Sequence, residues 1–230
     1  MNTGLPTISV KDMAIQEREN DIVLATFGRG FYILDDYTPL RELARNRAIL
    51  EKDAHIFPVA DALMYIQTGG KYGQGSSFYR SRNPDFGAIF TYFLKEVPVT
   101  LRQERLKKEK ELFADKAPIP QPTQEALRRE EEEREPELIF TVYNEAGEEV
   151  RKLVREPAAG IGRIAWDLRY PSTNPVNARN ADRGRASGSS GLLVMPGDYS
   201  VDMSLSFRGE ITKLADPVPF RAKLLQHLSL

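Results

Sequence analysis

Apolar and polar positions along the chain alternate, run together or thin out in a pattern that predicts a mostly β protein interrupted by two charged helices. Three short runs rich in β-branched and aromatic side chains occupy 8–15, 21–27 and 30–36. The polar stretch 16–20 and Gly28-Arg29-Gly30 separate them and predict tight reversals. Leu40, Leu43, Ala44, Ile49 and Leu50 recur near helical spacing, and Thr38 before Pro39 predicts a helix start with Thr38 as its cap. Extended segments are expected at 55–59 and 64–66, followed by a glycine-rich loop at 69–77. The run 86–94 is long and apolar enough for a buried strand. Residues 99–114 and 123–135 are dominated by Arg, Lys and Glu, and with the prolines between them they predict two charged helices joined by a linker. The β pattern returns at 138–143, 150–154 and 160–168. It breaks at a long polar loop, 170–191, and ends in strands at 198–206, 211–214 and 218–222.

Helices do not alternate with strands, which disfavours a parallel α/β architecture. For residues 83–230 the pattern leaves an immunoglobulin-like antiparallel β-sandwich, with a charged helical insertion at about 98–136. The first 37 residues differ: three strands joined by short turns are one short of a four-stranded propeller blade. A propeller needs several blades of roughly 40 to 50 residues each. Residues 1–37 therefore read as the remnant of a last blade, 38–82 as a connecting helix and loops, and the chain as the C-terminal piece of something larger.

Composition narrows the function. Lys plus Arg total 32 against 33 for Asp plus Glu, a formal charge of −1, so bulk electrostatics gives no drive toward nucleic acid or an anionic membrane. The absence of cysteine removes disulfides, thiolate nucleophiles and Cys-ligated zinc, and leaves the redox compartment undetermined. No apolar run is long enough to span a bilayer, and the first residues lack the basic and apolar regions of an export signal. At 230 residues the chain is long enough to bury a substantial core.

Three segments are recognisable as well as classifiable: Phe140-Thr141-Val142-Tyr143-Asn144-Glu145-Ala146-Gly147-Glu148-Glu149-Val150-Arg151, Gly162-Arg163-Ile164-Ala165-Trp166-Asp167-Leu168-Arg169-Tyr170 and Met195-Pro196-Gly197-Asp198-Tyr199-Ser200-Val201. Together they resemble the FlgD-like immunoglobulin-type modules that end many secreted bacterial proteins. With residues 25–36 added, the chain resembles the C-terminal region of bacterial sortilin-like, BNR-repeat "glycosyl hydrolase" propeller proteins. The resemblance implies a secreted or periplasmic parent and carries a hydrolase label inherited from sialidase-type propellers. The Asp-box that marks BNR repeats, Ser-x-Asp-x-Gly-x-Thr-Trp, is missing from this sequence, so no catalytic residue carries over.

Candidate chemistry is sparse. Asp35 and Asp36 form an acidic pair that could divide acid and base work or hold calcium. Neighbours on a strand point to opposite faces, however, and capping or turn formation is the simpler use. Arg29, between two glycines, could pair with a substrate carboxylate through parallel hydrogen bonds, or simply be solvated. Tyr72, Phe78 and Tyr79 flank a glycine-rich loop and offer aromatic faces to a sugar. That loop lacks the lysine placement of a phosphate-binding P-loop. His55 and His227 are too few for a metal cluster, and no Gly-x-Ser-x-Gly elbow marks a serine nucleophile; no metal or cofactor is expected. Trp166 is expected in the core, facing Phe140, Val142 or Tyr199. The leading expectation is a non-catalytic structural or interaction module that self-associates through residues 8–36, where an incomplete blade offers an open edge and an apolar face. A glycoside hydrolase using Arg29, Asp35 and Asp36, and a carbohydrate-binding module using the 72–79 loop, are the alternatives.

Overall fold

A computed structural model describes residues 7–65, 84–173 and 191–225. They form a mainly β protein of two compact units.

The smaller unit opens with an antiparallel meander, β1 (Val10–Gln16), β2 (Asp21–Thr26) and β3 (Phe31–Leu34), in the order β1-β2-β3. A helix, α1 (Thr38–Arg45), and a single 3-10 turn over Arg47–Glu51 follow. Thr38 is inside the helix rather than its cap. The Asp36 carboxylate accepts from the Thr38 N–H at 3.1 Å, which starts the helix one residue earlier than the Thr-Pro signal suggests. Asn46 stops it, because its side chain accepts from the Ala48 N–H at 3.2 Å and diverts the backbone from α-helical bonding.

The larger unit is a β-sandwich. One sheet has the order β4-β6-β9, from β4 (Ala54–Ile56), β6 (Ala88–Leu94) and β9 (Gly160–Trp166). The other has the order β5-β11-β10-β7-β8, from β5 (Ala62–Met64), β7 (Glu137–Asn144), β8 (Glu149–Arg155), β10 (Gly197–Phe207) and β11 (Glu210–Leu224). β4 and β5 are consecutive yet lie in opposite sheets; β5 pairs parallel with β11, and every other pair is antiparallel. This switching first strand and the crossing between sheets at β6–β7, β8–β9 and β9–β10 give the immunoglobulin-like topology expected from the sequence.

Alternation on the strands creates the core. Leu138, Phe140 and Val142 of β7 face inward and are fully buried, as are Phe90 and Tyr92 of β6, and Val201 and Met203 of β10. Rings join the two sheets: Phe140 meets Tyr92 at 5.0 Å between centroids and Phe90 at 6.5 Å, and Phe90 meets Phe220 at 5.3 Å. Trp166 occupies the core as expected, 5.5 Å from Tyr199 and 6.1 Å from Phe220, with its indole N–H donated to the Arg169 carbonyl at 3.0 Å. The Tyr199 hydroxyl donates back to the Met195 carbonyl at 2.6 Å. A tyrosine near the start of this strand, tied to backbone a few residues upstream, is the corner found in immunoglobulin-type sandwiches.

β11 differs from expectation by running unbroken for 15 residues, where Pro217 and Pro219 suggest two separate strands. Its second neighbour, β5, pairs only with Ala222–Leu224, so both prolines sit where that side of the strand has no ladder to break. The register against β10 shifts around Met203 to absorb the extra residues.

Between β6 and β7 the chain inserts α2 (Leu101–Ala114) and α3 (Gln124–Glu132). Thr100 caps α2 in a reciprocal box with Gln103, and Thr123 caps α3. Neither helix buries a residue. Arg105 links them, donating to Glu109 on its own helix and to both oxygens of Glu130 on the other, at 2.7 and 3.0 Å. Glu133 then pins the pair: one oxygen accepts from the Leu101 N–H at 2.6 Å, and the other from Arg208 in the β10–β11 turn at 2.7 Å. Its side chain is only 5% exposed.

Two outcomes follow from this packing. Gly87 has φ +113°, and an added Cβ would land on the Trp166 carbonyl oxygen; Gly87→Ala is expected to cost about 2–4 kcal/mol in urea unfolding, through backbone strain and a clash that no side chain can relieve. Glu133→Ala is expected to raise amide exchange across 101–132 while leaving the β7 and β10 amides protected, since it frees a helix N-terminus but opens no core.

Candidate functional site

The feature that sets this molecule apart is the sheet β1-β2-β3. Its β2–β3 reversal needs both glycines: Gly28 and Gly30 have φ +77° and +72°, and the Thr26 N–H and hydroxyl both donate to the Gly30 carbonyl, at 3.1 and 2.8 Å. At the other end, Asn20 at φ 59° turns β1 into β2, and its carbonyl accepts from the Tyr37 N–H at 2.8 Å.

Register assigns the side chains to faces. Ile15, Ile22 and Leu34 are aligned across the sheet, as are Met13, Leu24 and Tyr32, so these six share one face. Ala14, Val23 and Ile33 align on the other, with Ala25 and Phe31 beside them. Both faces therefore carry an apolar row, the second flanked by Asp12, Gln16 and Asp21, and no residue of 7–36 is buried. Met13 is 61% exposed, Phe31 74% and Ile33 60%. An isolated three-stranded sheet with one apolar face seeks one cover; this one presents surface for two.

The residues singled out for chemistry are distributed as follows. Arg29 sits in the exposed β2–β3 turn. Asp35 and Asp36 follow the far end of β3, about 20 Å away at a rise of roughly 3.3 Å per residue, so the structure does not bring the guanidinium and the acidic pair together. Asp36 has φ 44°; its N–H donates to Asp21 at 2.9 Å and its carboxylate holds the α1 start. Tyr72, Phe78, Tyr79 and His227 lie outside the described residues. His55 packs edge-on against Phe57 at 5.1 Å. Among the described residues, no group of three or more His, Asp or Glu is arranged to hold a metal ion.

Elsewhere the polar clusters are structural. The Tyr143 hydroxyl donates to Asp202 at 3.1 Å on the outer face of the five-stranded sheet, and burial, reinforced by that carboxylate, raises its pKa. A cleft of about 430 Å³ lies between β4 and β11, beside Lys52, His55, Lys213 and Asp216. A groove of about 460 Å³ runs between α2 and α3. Neither is lined by Arg29, Asp35 or Asp36.

The sequence pattern of residues 8–36 predicts one apolar face and an open edge, whereas the register places apolar rows on two faces. The continuous run Ile22-Val23-Leu24-Ala25 carries the signal for two, because a strand covered on one side alternates and a strand covered on both does not. The Glu133–Arg208 pin joins positions 75 apart and has no sequence signature.

The described residues form a β-sandwich unit and, in the other unit, a three-stranded sheet with apolar rows on both faces. No family model, curated protein or solved structure matches the chain.

Two ion-paired carboxylates have lowered pKa values. Asp198 is lowered chiefly because Arg221 donates to both its oxygens, at 2.5 and 3.0 Å, and Glu130 because Arg105 does the same. A carboxylate with a depressed folded-state pKa adds stability above its unfolded value of about 4, and loses it as pH falls through the folded value. Thermal melts of the intact chain are expected to fall more steeply between pH 5 and pH 3 than those of Asp198→Asn, with high salt shrinking the difference. Equal slopes would mean that the ion pair adds no stability.

Proposed function

We propose that this chain is a non-catalytic structural and interaction module, of the kind that closes the C-terminal end of a larger propeller protein. In this reading β1-β2-β3 belongs to a blade, and the immunoglobulin-like sandwich is the rigid terminal support. The observation that carries it is the double apolarity of the sheet. Blades stand face to face around a propeller, so each covers its neighbours on two sides, and a blade strand has no solvent face to keep polar. The resemblance of residues 25–36, 140–151, 162–170 and 195–201 to sortilin-like propeller proteins with FlgD-like modules points the same way. The separation of Arg29 from Asp35 and Asp36 along β3 argues against a glycosidase site built from these three groups, which would have to converge on one sugar.

Without neighbouring blades, the exposed apolar rows have to find other cover. Light scattering on the chain is expected to show self-association that weakens in Met13→Lys and Ile33→Lys, variants that place a charge on each face without touching the sandwich core. A strictly monomeric chain contradicts the interaction role. Turnover of aryl glycosides or sialosides, lost on changing Arg29 or Asp35, would replace it with a hydrolase.

A further inference from the structure

The connection between α2 and α3 has its conformation fixed without a backbone ladder. Lys116, at φ 53°, closes α2, and the Ala117 N–H donates back to the Leu112 carbonyl at 2.9 Å. In Ala117-Pro118-Ile119-Pro120-Gln121-Pro122 every residue either is a proline or precedes one. Proline holds its own φ at about −65° and steers the residue before it away from the helical region, so the whole segment is set as an extended, polyproline II ribbon. Thr123 continues it, at φ −71° and ψ 155°, before α3 begins. Both ends are anchored, because Arg105 and Glu130 hold the flanking helices together. Pro120, Gln121 and Pro122 line the groove beside α2, and Pro122 is half-buried, so that end leans on the helix. Pro118 and Ile119 stand clear of it, with Ile119 44% exposed. Among the described residues, no N–H or C=O group from Pro118 to Gln121 is hydrogen-bonded, and the exposed Lys116 makes no ion pair. Stiffness alone requires the prolines; it does not require an isoleucine held in water between two of them.

Beyond the role argued for the small sheet, and independent of it, we infer that residues 117–122 are a recognition segment: a preformed polyproline II ligand for a protein domain whose groove is lined by aromatic rings and carries a carboxylate at the end that meets Lys116. The chemistry of the ribbon selects that partner. Rigid proline rings and the Ile119 side chain fit between flat aromatic faces, and the unbonded carbonyls accept from the phenol or indole groups of the same rings. A partner that adds a β-strand would find no N–H donor at every second residue, because Pro118, Pro120 and Pro122 have none. A free proline-rich peptide still loses some chain entropy on binding, whereas this one is already held at both ends by folded helices. The exposed Lys116 ammonium, next to the first residue of the ribbon, gives the contact a direction by attracting an acidic flank.

The test passes the full chain over immobilised SH3, WW and EVH1 domains, three kinds of aromatic groove that read polyproline II, and follows binding by surface plasmon resonance. At least one domain is expected to bind. Replacing Pro118 and Pro120 together by alanine is expected to weaken that binding on the order of tenfold, and Ile119→Asp, which keeps every proline, by a similar factor. Lys116→Glu is expected to weaken it about threefold at low salt and less at high salt. Circular dichroism checks that α2 and α3 persist in each variant; should the double proline variant loosen them, the exposed Ile119→Asp decides the outcome. Met13→Lys and Ile33→Lys are expected to leave the binding unchanged, so loss of self-association through the small sheet and loss of this contact are separate results. No binding to any of the three domains at about 1 mM chain, weaker than any specific recognition of this kind, overturns the inference. Binding that Ile119→Asp leaves intact, or that Met13→Lys abolishes, also overturns it, because the contact then lies elsewhere.

Discussion

The sandwich depends on aromatic contact across its two sheets. The three-stranded sheet brings Phe90, Tyr92 and Trp166, and the five-stranded sheet brings Phe140, Tyr199 and Phe220; each ring meets rings of the other layer at 5–6.5 Å. Truncating one such ring costs about 3–5 kcal/mol, a large part of a domain's total stability. Other features follow from this contact. Gly162 sits beneath Tyr92 because any Cβ would strike the ring, and Gly87 lets the chain enter β6 against the Trp166 backbone. Tyr199 fulfils two demands at once, packing with its ring and fixing the β10 entry with its hydroxyl.

Around that core the molecule handles its remaining surface in two ways. The helical insertion is mostly charged, buries none of the side chains of its two helices and needs no core: caps, Arg105 between two carboxylates, and the shielded Glu133 hold it through directed bonds. The β1-β2-β3 sheet is the reverse. It contains the residue types of the sandwich interior, Ile, Val, Leu, Phe and Tyr, but leaves them at the surface. Hydrogen bonding completes the first element within the chain, whereas the hydrophobic effect leaves the second incomplete without cover.

Much of the architecture is legible in the sequence because the strands alternate. Leu138-Ile139-Phe140-Thr141-Val142 states its inward face directly, and the Met195-Pro196-Gly197-Asp198-Tyr199 segment foreshadows the corner at β10. Two kinds of feature are not legible. Propensity places a break at Pro217 and Pro219, but only the pairing partners reveal that a proline is harmless there. The split of the first sandwich strand into β4 and β5, in opposite sheets, depends on non-local pairing that a pattern within eleven residues cannot encode. At the candidate surface, the apolar run of β2 is legible, but the register that sorts the side chains of three strands into aligned rows on two faces is not. It rests on pairing between strands that no single run encodes.

Trp166 has one more consequence. It is the sole tryptophan of the chain, fully enclosed between the sheets and remote in sequence from β1-β2-β3. Its fluorescence therefore reports the sandwich alone: emission stays blue while the two layers remain together, whatever becomes of the exposed sheet, and reddens only when water reaches the indole. The protein carries an intrinsic optical probe that separates the opening of its core from events at its surface.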